Sequence, residues 1–467
     1  MTARMLLCIG CGQVRPLGVE QCPKCHGFES RQIDHEKNRL RSNVAIAQSV
    51  PMRAPGLRPA PRRKTGIVGL DRVLGGGLVH DAVTLVYGEP SIGKSTLLLQ
   101  ALAAMASPKC HCLYATGEEG EPQVRQAARR VGADRDDVYI VATRRLEDVL
   151  INADRRNAQV LVADSIQTFR SDTVPNSAGS VTQVKHVTEA FIAHAKRRLR
   201  PTAILLVGHV TGDGDVAGPK SVEHLVDVMV EFSGDRRGGL RFLQSPKNRH
   251  GAVGELAVME MTAKGLIERS DTASAFLSPA RVSRPGTVVF ASADLARPIM
   301  VEIEARVDRT EALGEQADGT PILRRGALGI LGIESSRIRM LLACLEQEAS
   351  VSLSGRDIYL EAYCPAVPTV SDQASDLAVL AAIASASTHR AVPRDAVIFG
   401  SVSVSGRVRK VERARARMDA AYAGGFTRAL IPAANVGDVP KGMVAHSIEH
   451  VSGLAAWLAT LDLAHGG

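Results

Sequence analysis

The sequence feature that most constrains the fold is a short glycine-flanked segment between an apolar run and an amphipathic stretch. Residues 83–87 read as a buried strand, residues 97–104 read as a helix, and the segment between them contains the pattern G-x-x-x-x-G-K-[ST]. In such a loop, successive N–H groups face phosphates at a helix N-terminus, Lys94 reaches the β and γ phosphates, and the Ser95 hydroxyl binds Mg²⁺. The sequence therefore predicts a nucleotide site formed by Gly88, Glu89, Pro90, Ser91, Ile92, Gly93, Lys94, Ser95 and Thr96.

Two acidic positions are candidates for the chemistry of hydrolysis, which requires a carboxylate near the metal and a group that polarises water. Asp164 ends the apolar run Leu161-Val-Ala and suits the water shell of a magnesium ion. Glu118 follows an apolar run that ends near Ala115 and is the candidate general base, with Glu119 beside it. An acidic residue of this kind, taken alone, is more often a solvated loop carboxylate or a helix cap than a catalytic group. The phosphate loop favours the catalytic interpretation.

Apolar runs alternate with helix-length amphipathic segments from Thr65 onward, which predicts a parallel sheet with crossover helices and an α/β fold. The alternation breaks around Arg269 to Pro285, and mixed strands and helices follow, with apolar helices near Ile338 to Cys344 and Leu377 to Ala386. The predicted strands are Val83 to Tyr87, Cys112 to Ala115, Val138 to Val141, Val160 to Ala163 and Ala203 to Val207.

Four of the eight cysteines lie in the first 25 positions, in two C-x-x-C pairs. This spacing predicts a tetrahedral Zn²⁺ site with Cys8, Cys11, Cys22 and Cys25 as ligands. Because four thiolates leave no open coordination position, we expect a zinc ribbon that folds and docks rather than catalyses, with redox chemistry as the minor alternative. A metal site with otherwise sparse cysteines, and the lack of a signal-like start, favour a reducing compartment, so we expect a cytoplasmic protein.

The length and charge of the chain limit the remaining choices. A chain of 467 residues suggests roughly three domains. The sequence contains no run of 18 or more apolar residues, so we expect no membrane span. The net charge of +8 is concentrated in residues 31–64, which hold nine Lys or Arg against Asp34 and Glu36. Four prolines between Val50 and Pro61 indicate a semi-rigid spacer. Such a basic tether fits contact with a nucleic-acid backbone, a solvated linker, or both.

A set of short motifs runs through the chain: Thr65-Gly66, Leu70 to Leu78, the phosphate loop, Gly117-Glu118-Glu119, Asp164 to Thr168, Gly208 to Thr211 and Lys247 to Gly251. Together these motifs resemble the bacterial RadA/Sms recombination-repair family, and with the cysteine module the resemblance extends over nearly the whole chain. The resemblance implies four segments: a zinc ribbon (1–29), a basic Pro-containing linker (30–63), a RecA-like P-loop ATPase domain (64–270) and a Lon-protease-like α+β domain (271–467).

The same resemblance implies a hexameric, DNA-dependent ATPase. Its cofactors would be ATP, Mg²⁺ and Zn²⁺, and its partners single-stranded and branched DNA and the RecA recombinase, whose recombination intermediates it would extend by branch migration. Lys247 and Arg249 match the family's signature motif and would reach the γ phosphate of a neighbouring subunit; without the motif they would read as exposed basic residues. His250 departs from the Phe usual at its position. The DNA-facing loops would be residues 171–185 and 211–223.

The C-terminal region resembles the Lon proteolytic fold without its catalytic dyad. Ala374 occupies the serine position, and Arg417, or Arg415 in a shifted register, occupies the lysine position. An arginine cannot act as a base at ordinary pH, so we expect an inactive domain that serves ring assembly. A basic strip there is either a solvated helix face or a DNA contact: Arg407, Arg409, Lys410, Arg413, Arg415 and Arg417.

Two other functions remain open on the sequence. The segment from Thr65 to Leu78 also resembles ATP-binding regulatory proteins of the KaiC type. A protein of that type should lack both the zinc ribbon and the Lon-like tail. An ATP-dependent protease would need the absent serine and lysine.

Overall fold

The structure is a computed structural model of the chain, and its placement is described for most residues from 61 onward and for parts of the N-terminal segment. The described residues are 5–8, 14–16, 19, 21–26, 30–33, 61–197, 200–209, 220–234, 239–269, 275–277, 283–310, 312–315, 321–323, 327–364, 366–367 and 369–461. The chain forms two compact units, residues 1–59 and residues 60–467.

The N-terminal unit contains a three-stranded antiparallel sheet with the order β2-β1-β3. Its strands are β1 (Met5–Cys8), β2 (Val14–Pro16) and β3 (Ser30–Ile33). In the second unit, a two-residue strand, β4 (Arg62–Arg63), pairs with β5 (Leu78–Val79). Strands therefore occupy both ends of the segment assigned to the linker on sequence grounds.

A nine-stranded sheet forms the first half of the second unit, in the order β14-β13-β12-β11-β6-β10-β9-β7-β8. Six neighbouring strands pair in parallel, in the order β11, β6, β10, β9, β7 and β8. Beyond β11, strands β12, β13 and β14 continue the sheet with antiparallel pairing. The strands are β6 (Val83–Gly88), β7 (Cys112–Thr116), β8 (Val138–Ala142), β9 (Val160–Asp164), β10 (Ala203–His209), β11 (Val228–Gly234), β12 (Leu240–Asn248), β13 (Leu256–Thr262) and β14 (Gly265–Glu268).

Helices connect these strands, as the alternating pattern predicts, and apolar side chains pack on both faces of the sheet. The five predicted strands form within one or two residues of their expected bounds. Four of them are buried apolar runs, and β8, at the edge of the sheet, is only partly buried. The α/β prediction is confirmed. The helices are α1 (Val68–Val73), α2 (Lys94–Met105), α3 (Glu121–Arg130), α4 (Leu146–Arg155), α5 (Val181–Ala195) and α6 (Lys220–Leu225).

A seven-stranded mixed sheet forms the second half, in the order β19-β20-β16-β15-β21-β24-β25, with two short hairpins beside it. Its strands and those of the hairpins are β15 (Thr287–Ser292), β16 (Ile299–Arg309), β17 (Ala312–Glu315), β18 (Pro321–Leu323), β19 (Leu328–Leu331), β20 (Arg356–Tyr363), β21 (Ala396–Ile398), β22 (Ser401–Val402), β23 (Val408–Arg409), β24 (Arg428–Pro432) and β25 (Val444–Ile448). The helices are α7 (Ile338–Ala349), α8 (Asp376–Thr388), α9 (Ala414–Ala423) and α10 (Ser452–Ala459), with 3₁₀ turns at Ser335–Arg337, Gln373–Ser375 and Ala433–Asp438.

The two large sheets share one hydrophobic core. Phe242 of β12 and Val258 of β13 belong to the same buried cluster as Phe276 and Phe290, and the rings of Phe242 and Phe276 lie 5.4 Å apart. A hydrogen bond from Gln244 Nε2 to the carbonyl oxygen of Ala366 (2.8 Å) adds a polar tie. None of the helices in the described part of the chain is long and apolar enough to cross a membrane.

Candidate functional site

The phosphate loop joins the carboxyl end of β6 to α2. Gly93 has a φ of 114°, a conformation that favours glycine, and Lys94 is the first residue of α2. A Cβ atom on Gly88 would lie 2.0 Å from the carbonyl oxygen of Phe232, so the loop begins where two backbones touch. These two glycines let the chain turn sharply and bring its N–H groups to the start of the helix.

Lys94 is buried against the loop that it follows. Its Nζ donates to the carbonyl oxygens of Gly88 (2.9 Å) and Glu89 (2.8 Å) and lies 3.4 Å from Nδ1 of His209. Burial lowers the pKa of Lys94, and the nearby carboxylates of Asp164 and Glu118 oppose that shift. The ammonium group thus lies among the groups expected to contact the phosphates and the reacting water.

Asp164 ends β9 and receives two hydroxyl hydrogen bonds on one oxygen. Ser95 Oγ donates to its Oδ2 at 2.6 Å, and the Tyr114 hydroxyl donates to the same atom. Burial, followed by the neighbouring Asp164 charge, raises the pKa of Tyr114 well above its usual value, so that phenol remains a donor. Mg²⁺ prefers oxygen ligands, and the Ser95 hydroxyl lies next to the Asp164 carboxylate, so these two residues fit a magnesium ion.

Glu118 lies beside Asp164 because β7 and β9 are neighbouring strands, with Thr116 paired to Asp164. The hydroxyl of Thr116 accepts from the backbone N–H of Glu119 (3.0 Å) and shapes the turn that carries both glutamates. Ser165 Oγ donates to Glu118 Oε1, and His209 Nε2 lies 3.0 Å from the same oxygen. These contacts fix one carboxylate oxygen and leave the other to act.

The two adjacent glutamates have opposite electrostatic environments. The hydrogen bond with His209 is the largest cause that lowers the pKa of Glu118; burial opposes it, and Ser165 and Lys94 reinforce it. Burial raises the pKa of Glu119, and the charges of Asp164 and Glu118 add to that effect. Of the pair, Glu118 is therefore the better candidate for an ionised group that accepts a proton from water.

His209 is a site residue that the sequence analysis did not assign. It ends β10, which lies between β6 and β9, and it pairs in register with Gly88. Its two ring nitrogens face Lys94 and Glu118. The signal in the sequence was a polar residue at the carboxyl end of a buried strand, but its meaning depended on the strand order. A cavity of about 510 Å³ opens beside these groups, lined by Lys94, Ser95, Glu118, Asp164 and His209 among others.

Lys247 and Arg249 do not lie at the strand ends where the phosphate loop of the same chain begins. They lie toward the opposite ends of the strands. Lys247 pairs with Met229, which pairs with Leu85 near the start of β6. The phosphate loop begins at the far end of that strand, roughly 10 Å further along at about 3.3 Å per residue. The structure therefore does not bring these two cations to the site formed by Lys94, Glu118 and Asp164.

Local contacts hold both cations. Lys247 Nζ donates to the carbonyl oxygen of Glu223, and Arg249 donates to Asp227 Oδ1 (3.2 Å) and the carbonyl oxygen of His224 (3.0 Å). Burial acts to raise the pKa of Asp227, but a hydrogen bond from the backbone N–H of Val83 and the charge of Lys196 outweigh it and lower the pKa. The carboxylate is thus an anionic anchor for Arg249.

The cysteine module brings three thiols together. The Sγ atoms of Cys8, Cys22 and Cys25 lie within 4.8 Å of one another, and those of Cys8 and Cys25 are 3.4 Å apart. Cys11, the fourth predicted ligand, lies outside the described residues. Three clustered thiols in two C-x-x-C pairs fit the soft, tetrahedral ligand set of a zinc ion.

The predicted DNA-facing loops are described only in part. Residues 211–219 lie outside the described residues. In the segment 171–185, Gln183 is buried and donates to the carbonyl oxygens of Ser171, Val174 and Asn176, so this segment is ordered by a side-chain amide. Lys185 is exposed and 3.9 Å from Glu189.

The C-terminal basic strip is not a continuous surface. Arg413 donates to the carbonyl oxygens of Ala293 (3.0 Å), Leu295 (2.8 Å) and Ala296, and Arg417 is buried. Arg415 is exposed and paired with Asp419 in the next helical turn. Of the six basic residues, only Arg417 is buried; Arg413 is exposed but its guanidinium is bound by backbone carbonyls, and Arg407, Arg409, Lys410 and Arg415 are exposed. The expected strip is interrupted because two of its arginines bind backbone carbonyls and a buried carboxylate.

Comparison with known proteins agrees with this geometry. A family model described as "ATPase: KaiC" matches residues 63–141. The chain is 36% identical to the DNA repair protein RadA of Pseudomonas aeruginosa over 444 residues, which cover 94% of this chain and 94% of the relative. It is 35% identical to the DNA repair protein RadA of Escherichia coli over 461 residues, covering 96% of this chain and 97% of the relative. The corresponding protein of Mycolicibacterium smegmatis is 36% identical over 448 residues, with 93% and 92% covered.

Proposed function

Because this chain belongs to the RadA family of DNA repair proteins, we propose that it is a DNA-dependent ATPase of recombinational repair. In this proposal it processes recombination intermediates and promotes branch migration during strand exchange by the RecA recombinase. Its core is that of a RecA-like ATPase, which supports ATP hydrolysis. The observation that carries the proposal is the convergence of Lys94, Glu118 and Asp164 on one cavity.

Each residue of the site has a distinct part in hydrolysis. The N–H groups of residues 88–96 bind the phosphates, and Lys94 leaves its loop carbonyls to contact the β and γ phosphates. Ser95 and Asp164 would hold Mg²⁺, which would supply positive charge next to the phosphate oxygens. Glu118, held on one side by Ser165 and His209, orients the attacking water and accepts its proton.

The position of Lys247 and Arg249 supports an oligomeric motor. Because both lie at the far edge of the sheet, they serve the nucleotide of an adjacent subunit rather than their own. Their charge then stabilises the transition state in the way of an arginine finger supplied in trans. A closed ring of six copies places each pair of cations at the next phosphate loop, and single-stranded or branched DNA passes residues 171–185 and 211–223.

The flanking regions support the motor without chemistry of their own. Cys8, Cys11, Cys22 and Cys25 hold Zn²⁺ in a ribbon of residues 1–29, which the basic linker of residues 30–63 joins to an ATPase domain of residues 64–270. The Lon-like domain of residues 271–467 is proteolytically inactive and assembles the ring, since Ala374 and Arg417 stand at its dyad positions. The protein works in the cytoplasm.

Steady-state ATP hydrolysis tests the proposal. Turnover is measured with and without single-stranded DNA across a salt series, for the wild type and for the Lys94→Ala, Lys247→Ala and Lys441→Ala variants. We expect stimulation by DNA that falls as salt rises, loss of turnover for Lys94→Ala, loss of stimulation for Lys247→Ala, and near wild-type behaviour for Lys441→Ala, an exposed lysine of the C-terminal half. Extension of a labelled branched substrate in the presence of RecA then tests branch migration.

Hydrolysis that is indifferent to DNA would contradict the motor and favour a KaiC-type regulatory ATPase. Full DNA-stimulated turnover by the Lys94→Ala variant would contradict the assignment of the nucleotide site.

A further inference from the structure

An arginine at the start of the second unit joins three backbone segments. Arg62 lies on β4, whose pairing with β5 places it opposite Val79. Its Nη1 donates to the carbonyl oxygens of Leu74 (3.2 Å) and Gly77 (3.4 Å), and its Nη2 donates to the carbonyl oxygen of His250. One guanidinium thus bridges the glycine-rich turn of residues 74–77 and the segment of residues 247–251.

These two segments also touch through their backbones. A Cβ atom on Gly75 would lie 3.1 Å from Cα of Gly251, and a Cβ atom on Gly251 would lie 3.0 Å from Cα of Gly75. The side-chain oxygen of Asn248 accepts from the backbone N–H of His250 at 2.8 Å, which fixes the turn at the end of β12. The segment that carries Lys247 and Arg249 is therefore held against the turn by close backbone contact and by Arg62.

The geometry of these contacts suits arginine. A guanidinium presents five N–H donors in a rigid planar fork and stays charged at every ordinary pH, so it can serve several carbonyl oxygens at once. A lysine at this position could place one ammonium group near one or two of them, without the fixed fork.

We infer that Arg62 is a positioning residue that sets where Lys247 and Arg249 point. The inference rests on the proposed function, in which those two cations act on the nucleotide of the next subunit. Arg62 binds the carbonyl of His250, which is the residue next to Arg249, and so it acts through the backbone rather than on the nucleotide itself. Its loss leaves the phosphate loop of its own chain intact and impairs hydrolysis at the neighbouring site.

The test is turnover in mixed oligomers of the full-length protein. The Arg62→Ala variant alone is expected to lose about tenfold in DNA-stimulated kcat, while its nucleotide dissociation constant stays within about twofold of the wild type. When it is mixed with the Lys94→Ala variant, turnover should rise above that of either variant alone. In such mixtures the Lys94→Ala subunits supply correctly held cations to the intact phosphate loops of the Arg62→Ala subunits.

Three further proteins make the result decisive. Arg63→Ala removes the neighbouring charge on the same strand, but that side chain makes none of the three carbonyl contacts, so its turnover should exceed that of Arg62→Ala. Arg62→Lys, which keeps the charge, should fall between Arg62→Ala and the wild type. The Lys247→Ala variant mixed with Lys94→Ala calibrates the rescue, and thermal unfolding of each variant verifies that it is folded.

The possible outcomes separate this inference from the proposed function. Rescue of Arg62→Ala by Lys94→Ala supports a positioning role in trans. Failure of that rescue while Lys247→Ala is rescued overturns the inference and leaves the motor standing, and wild-type turnover by Arg62→Ala overturns it as well. Failure of the Lys247→Ala mixture overturns action across subunits, and the role of Arg62 falls with it.

Discussion

Arg417 Nη1 lies 2.6 Å from Oδ2 of Asp372, with only 5% of the arginine and 12% of the aspartate side chain exposed. The same Nη1 donates to the carbonyl oxygen of Ala291, and Asp372 also accepts from the backbone N–H groups of Ala293 and Ala374. Ala374 and Arg417, which the sequence analysis aligned with the dyad positions of a Lon-type fold, are thus both part of a packed polar cluster. An arginine bound in this way joins the start of α9 to the turn before α8.

Replacing Arg417 by methionine should destabilise the protein by about 3 kcal/mol, because it leaves the Asp372 carboxylate and the Ala291 carbonyl buried without this partner. Urea denaturation of the full chain measures the loss. The matched control is Arg415→Ala on the same helix: its ion pair with Asp419 is more than half exposed, so the expected change is below about 0.5 kcal/mol. Equal effects of the two substitutions would contradict a structural role for the buried pair.

Glu118→Gln should reduce the rate of ATP hydrolysis by about 10² to 10⁴ while nucleotide binding persists, because the amide cannot accept a proton from water. Glu119→Gln is the matched control, because the carboxyl of Glu119 lies in the same turn and has a raised pKa. The expected loss of hydrolysis rate is much smaller for this variant. Fluorescent nucleotide titration and single-turnover hydrolysis separate binding from chemistry. A larger defect in Glu119→Gln would move the general base to that residue.

The His209→Ala variant should shift the acid limb of the pH–rate profile to higher pH. In the wild type, the hydrogen bond from His209 is the largest cause of the low pKa of Glu118, so Glu118 stays ionised as the pH falls. Without it, burial dominates and the pKa of Glu118 rises, so protonation inactivates the site at a higher pH. The profile of kcat against pH measures the shift, with His446→Asn in the C-terminal sheet as a control. An unmoved acid limb would show that His209 does not set the ionisation of Glu118.

Removing one thiol of the cysteine module should remove its metal. Elemental analysis of the purified wild type is expected to give about one zinc per chain, and Cys22→Ser should lower that content severalfold because a structural zinc site needs its full ligand set. Cys344→Ser, which changes a buried thiol of the C-terminal half, is the control and should retain the zinc. Full zinc content in Cys22→Ser would place the metal elsewhere.

The elements that sequence reasoning located well are those defined by local patterns. The apolar runs that became β6, β7, β9 and β10 are buried on both sides, so each leaves a continuous hydrophobic signal, and β8 at the sheet edge is a partly buried apolar run. The phosphate loop has a fixed spacing, and its glycines are required by close backbone approach at Gly88 and by the conformation of Gly93. The apolar runs and the phosphate-loop spacing can each be recognised from a few consecutive residues, without knowledge of the rest of the fold.

The relationships that the sequence left undetermined join residues far apart in the chain. His209 meets Glu118 because β10 and β7 flank β9, and that order is set by packing of the whole sheet. Arg62 read as part of a basic linker, since its carbonyl partners at residues 74, 77 and 250 become neighbours only after folding. Arg417 read as part of a surface strip because helical spacing does not reveal which face meets the carboxylate of Asp372.

Strand β12 has two roles within one stretch of nine residues. Phe242 near its start is fully buried in the core shared by both large sheets, and Lys247 near its end donates to the carbonyl oxygen of Glu223. Between those points the pairing of β12 with β11 shifts by one residue, since Met229 pairs with Lys247 but Glu231 pairs with Gln244, so β12 contains a bulge. A bulge bends a strand and increases its local twist, so the end of β12 that carries Lys247 can turn without displacing the part of the strand that is buried in the shared core.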